Sequence, residues 1–120
     1  MAVVMVADAH DEVQRLLACV VERVGHIPVS WTPAESDTLD GFDVLMVEPA
    51  SPDCFRYAQA VRGARPELPI LCVSIYPPTP AVRALECMAH LLKPFSLSEL
   101  ASALEQALEA ASAKAATPAR

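Results

Sequence analysis

The chain has 120 residues, 53% hydrophobic and 20% charged, with a formal net charge of −6. That length and composition predict one globular domain with a real core. The acidic balance, with Lys93 and Lys114 as the only lysines, argues against a broad nucleic-acid or anionic-membrane surface.

No apolar run approaches membrane-spanning length, and the apolar start meets Asp8 too soon for a signal peptide. Cys19, Cys54, Cys72 and Cys87 form no C-x-x-C pair, so zinc and thioredoxin-type readings lack support. Cys19, Cys72 and Cys87 lie in apolar runs, where cysteine acts as a small hydrophobe. A reducing, cytoplasmic setting fits best.

Ala2–Ala7 reads as a strand buried on both faces. Asp8 or Asp11 can cap the following helix, in which Val13, Leu16, Leu17, Val20, Val21 and Val24 recur at helical spacing before Gly25 stops it. Ile27–Trp31 reads as a second strand, with Trp31 in the core. Thr32, Pro33 and Glu35 make a capping-box start for a helix kept short by Gly41. Val44–Val47 is the third strand, and a helix starts at Ser51–Asp53 and runs to Gly63. Ile70–Ile75 is the fourth strand. Pro77, Pro78 and Pro80 stiffen the loop before a helix over Ala81–Ala89. Leu91–Leu92 is a short fifth strand. Ser96 and Glu99 form a second capping box for a helix faced by Leu97, Leu100, Leu104 and Leu108. The domain is expected over 1–111, with 112–120 an unstructured tail or the start of a linker.

Strands alternating with helices predict an α/β, doubly wound fold with a parallel sheet. Functional groups in such folds gather at the carboxyl ends of the strands, which here carry Asp8, Glu48, Ser74 and Lys93.

The motifs at those ends are specific when taken in order. Val4–Ala7 leads into Asp8-Ala9-His10-Asp11, and Phe42–Val47 ends in Glu48, with Pro52 four residues on. Leu68–Val73 ends in Ser74, and Leu91-Leu92 runs into Lys93-Pro94-Phe95. Over residues 2–110 this pattern resembles the receiver domain of bacterial response regulators. The resemblance implies a CheY-like, flavodoxin-like (β/α)5 domain with strand order 2-1-3-4-5, here with a shortened second helix. It implies a two-component, phosphorelay signalling role. Glu48 stands at the phosphoacceptor position, Asp8 in the acidic pocket, Ser74 as the switch hydroxyl and His90 at the switch-aromatic position. Lys93 is the family-type lysine, and Lys93-Pro94 a candidate cis bond.

Two positions depart from the family pattern. Glu48 replaces the acceptor aspartate and is longer by about 1.5 Å, while an ångström of misplacement can cost roughly 10²-fold in transfer. Ala9 replaces the acid that most directly binds metal. The donor set left for a cation is Asp8, Glu48 and the Ala50 backbone, so Mg²⁺ is not expected to bind tightly and no cofactor is expected. Lys93, flanked by apolar residues, needs a charge partner, and Glu48 is the natural one.

Alternatives stay open for several of these residues. Glu48 can instead cap a helix or face solvent, Asp8 can serve only as an N-cap, Ser74 as a turn residue and His90 as a plain surface histidine.

The expected function is therefore an atypical receiver, a pseudo-receiver that is not an enzyme. It works through protein contacts with a histidine kinase, an effector or a second copy, on the face 81–108. A switchable receiver that accepts phosphate at Glu48, Ser51 or Asp53 is one alternative. A small flavodoxin-like enzyme is another, although no G-x-G-x-x-G, P-loop or nucleophile–base pair supports it.

Overall fold

The computed structural model describes residues 1–35 and 38–116. Five parallel strands, β1 (Val3–Ala7), β2 (Ile27–Ser30), β3 (Val44–Val47), β4 (Ile70–Ser74) and β5 (Ala89–Leu92), form one sheet in the order β2-β1-β3-β4-β5. The helices are α1 (Asp11–Arg23), α2 (Pro52–Ala64), α3 (Pro80–Arg83) and α4 (Leu97–Ala116), with a 3₁₀ turn at Pro33–Glu35. This is the doubly wound fold and strand order that the sequence predicts.

The apolar runs of β1, β3 and β4 are buried on both faces, and successive side chains alternate between two core layers. Met5, Leu45, Val47, Ile70 and Cys72 pack with Tyr57, Ala58 and Val61 of α2 on one side. Val4, Val6, Val44, Met46, Leu71 and Val73 pack on the other, with Leu17, Val20 and Val21 of α1 and Leu100, Leu104 and Leu108 of α4. Trp31 is buried in the first layer, its ring centroid 5.5 Å from that of Tyr57. No described helix is long and apolar enough to cross a membrane.

Several expectations are corrected. The helix read over Ala81–Ala89 is a single turn, Pro80–Arg83. Thr79 caps it through its side chain, but Glu86, at φ 54, turns the chain into the left-handed region, and β5 starts early at Ala89. Neither Asp8 nor Asp11 caps α1: His10 is its N-cap and makes no side-chain cap bond. The Thr32–Glu35 start yields only the 3₁₀ turn; Ser36 and Asp37 lie outside the described residues. Leu16, Leu97 and Cys19 are exposed rather than packed. The backbone of α4 stays helical to Ala116, past the expected end at 111, and 117–120 lie outside the described residues.

Other local readings hold. Gly25 follows the end of α1 at φ 90, a conformation that costs glycine little. The second capping box is closed from both sides, Glu99 N–H donating to Ser96 Oγ at 3.0 Å and Ser96 N–H to Glu99 Oε1 at 3.2 Å.

Candidate functional site

The parallel strands all end on one edge of the sheet, so the last residues of β1, β3, β4 and β5 converge. The register pairs Ala7 with Val47, which sets the next residues, Asp8 and Glu48, side by side, and Glu48 N–H donates to the Ala7 carbonyl at 2.9 Å. From the other side, Lys93 N–H donates to the Ser74 carbonyl at 2.8 Å, aligning Lys93 with the end of β4. The Lys93–Pro94 peptide is cis.

Three charged side chains meet there. Lys93 Nζ lies 3.1 Å from Glu48 Oε2 and 3.3 Å from Asp8 Oδ2. Glu48 Oε1 accepts the Ala50 N–H at 2.9 Å. Asp8 Oδ1 accepts the His10 N–H at 2.9 Å, with His10 Nδ1 a further 3.3 Å contact. Each of the four carboxylate oxygens thus has a donor. Only 7% of Glu48 is exposed, so the solvent-facing alternative fails, and its backbone-directed bond serves the turn into α2 rather than the α2 N-cap, which is Ser51. The two acids are buried, and an ammonium with two carboxylates leaves one net negative charge in a low-dielectric setting, where hydrogen bonding of every oxygen offsets much of the desolvation cost.

Ala9 is exposed and contributes no side-chain oxygen. Among the described residues no group of three or more His, Cys, Asp or Glu side chains is arranged to hold a metal ion. Ser74 is buried at the end of β4, and its Oγ accepts the Tyr76 N–H at 3.1 Å, the bond of a turn. His90 is half-buried, and its Nε2 donates to the Tyr76 carbonyl at 2.8 Å. Ser74 and His90 are therefore joined through one residue, Tyr76, and among the described residues neither side chain bonds the Asp8, Glu48 or Lys93 side chains.

Two features were not read from the sequence. Gln14, one turn into α1, accepts the Asp8 N–H at 3.0 Å and donates to the Trp31 carbonyl at 3.0 Å, tying the acidic strand end to the end of β2. Nothing in its local pattern marks it, because the bond depends on where the helix docks. Cys72, buried in β4, and Cys87, half-buried before β5, face the same core layer.

No protein-family profile and no curated protein matches the chain. Solved structures do. A CheY-like receiver domain from Methanospirillum hungatei JF-1 superposes with a TM-score of 0.81 at 14% identity, over 95% of this chain and 98% of that one. Chemotaxis protein CheY4 from Vibrio cholerae gives 0.75 at 21% identity, over 89% and 98%. NtrX from Brucella abortus gives 0.79 at 20% identity, over 95% of this chain, which spans only 28% of the NtrX chain.

Proposed function

The chain has the fold of response-regulator receiver domains, and from that premise we propose that it is a non-enzymatic signalling module. It acts through protein contacts, and phosphorylation of an acceptor carboxylate does not switch it. The observation that carries this reading is Glu48, whose two oxygens are held by Lys93 at 3.1 Å and by the Ala50 N–H at 2.9 Å. Phosphoryl transfer to a carboxylate needs a free oxygen in line with the donor and a cation to neutralise the phosphoryl oxygens. Here both Glu48 oxygens are engaged by donors.

The residues do not fit Mg²⁺. That ion demands near-octahedral oxygen ligation at about 2.0–2.1 Å. Every oxygen of Asp8 and Glu48 already has a donor, Ala9 offers no ligand, and a cation between the acids would have to displace Lys93. The Glu48–Lys93 pair instead stands in for the acyl phosphate–lysine pair of a working receiver, with one negative charge and without tetrahedral oxygens.

Protein contacts are assigned to the face 81–108. Leu92 and Leu97 are exposed there beside Ile75 and Tyr76 of the neighbouring loop. The reduction of α3 to one turn alters this face, so a partner would meet loop 84–88 and β5 in place of a full helix.

The test is direct. Incubation with acetyl phosphate and Mg²⁺ leaves the intact mass unchanged, and beryllium fluoride leaves the amide NMR spectrum unchanged. A stoichiometric phosphorylated species, mapped to Glu48, Ser51 or Asp53, overturns the reading.

A further inference from the structure

We infer that segment 76–80 is a preformed polyproline II ligand that docks into a partner's groove lined by aromatic rings and rimmed by acidic side chains. The inference rests on the reading of this end of the molecule as a protein-contact face, and it names the chemistry of the partner. The segment is Tyr76-Pro77-Pro78-Thr79-Pro80 and leads from β4 into α3. The rings of Pro77, Pro78 and Pro80 fix φ near about −65° and leave no amide donor. Tyr76, Pro77 and Thr79 each precede a proline, which drives them to extended backbone. Thr79 has φ −86 and ψ 167, close to polyproline II geometry.

The scaffold holds both ends of the segment. Tyr76 N–H donates to Ser74 Oγ at 3.1 Å, and the Tyr76 carbonyl accepts from His90 Nε2 at 2.8 Å. At the far end Thr79 Oγ1 accepts the Val82 N–H at 3.2 Å, and the Thr79 carbonyl accepts the Arg83 N–H at 2.9 Å. Between them, no donor among the described residues reaches the carbonyls of Pro77 and Pro78. Docking therefore orders little new chain, which lowers its entropic cost.

The exposed groups define the occupant. Pro77, Thr79 and Pro80 are exposed, with Ile75 and Tyr76 exposed beside them. Polyproline II repeats about every three residues, or about 9 Å, so Pro77 and Pro80 share one side. Proline rings on one side fit slots between aromatic rings, and the two open carbonyls accept from an indole N–H or a phenol O–H. Arg83 follows one turn past Pro80, is exposed, and makes no ion pair among the described residues. Its charge selects an acidic rim on the groove.

The test titrates the full, isotope-labelled chain with a panel of purified SH3 and WW domains, whose grooves have this chemistry, and follows the amide NMR shifts. At least one domain is expected to give saturable shifts centred on residues 75–83. The double variant Pro77→Ala, Pro78→Ala restores two N–H groups and frees both φ angles, and it binds at least about 10-fold more weakly. Arg83→Glu also weakens binding, most at low ionic strength, while Leu16→Ser, on the exposed side of α1, binds as the wild type does. No shifts at about 1 mM of every domain, shifts centred outside 75–83, undiminished binding by the proline variant, or self-association through the same residues overturns the inference. If the proline variant does not fold, the wild-type shift map and Arg83→Glu decide. A silent titration with an unchanged mass after acetyl phosphate removes this inference alone, whereas a phosphorylated species removes the earlier reading whatever the titration shows.

Discussion

Lys93 bridges two acids: its Nζ lies 3.1 Å from Glu48 and 3.3 Å from Asp8, drawing together the ends of β5, β3 and β1. One ammonium between two buried carboxylates is an arrangement in which each member depends on the others. The side chain of Lys93 is 19% exposed, so solvent screens the cluster only in part.

Removing that ammonium leaves two carboxylates facing each other. Lys93→Met is expected to destabilise the fold by about 2–4 kcal/mol, while Glu48→Gln costs less. In the double variant the losses do not add, with a coupling of about 1–3 kcal/mol. Chemical denaturation of the four chains checks this, and simple additivity would show that the contact carries no energy.

Rebuilding the acids should rebuild cation binding. Glu48→Asp shortens the side chain and removes its reach to Lys93, and Ala9→Asp restores an oxygen ligand. Isothermal titration with Mg²⁺ is expected to give heat for the double variant and none for the wild type. A silent double variant would place the defect in the backbone around the site rather than in the two side chains.

Gln14 should matter more than its half-buried position suggests. Gln14→Ala removes the acceptor of the Asp8 N–H and the donor to the Trp31 carbonyl. A loss of about 1–3 kcal/mol is expected, because buried backbone groups are left without partners. Denaturation followed by far-ultraviolet circular dichroism measures it.

Cys54 gives a pH prediction. Burial, as the largest cause, raises its thiol above the ordinary value of 9.0. The folded state therefore holds the proton more tightly than the unfolded chain. Its stabilising contribution is complete below 9.0 and is lost as the pH rises through and above that value. The stability difference between wild type and Cys54→Ala should shrink on going alkaline, and a difference that is flat with pH would refute the assignment.

Most of the fold was legible because β1, β3 and β4 are apolar on both faces, a pattern a parallel sheet requires. Asp8, Glu48, Ser74 and Lys93 were legible because strand ends share one edge. What escaped was set by tertiary contact. The helix over Ala81–Ala89 failed because Glu86 leaves helical space and Arg62, from another element, takes the Leu85 and Glu86 carbonyls. His10 displaced both aspartates as the α1 cap because Asp8 is committed to Lys93.

Trp31 is the chain's only tryptophan. Among the described residues its buried indole N–H has no hydrogen-bond partner, its ring lies 5.5 Å from Tyr57, and its carbonyl is joined through Gln14 to the backbone of Asp8. The molecule thus carries its own optical gauge, two hydrogen bonds away from the charged cluster. Emission excited in the indole band will register rearrangement at the acidic strand end without any label, so partner docking and metal titration can both be followed in solution on the unmodified chain.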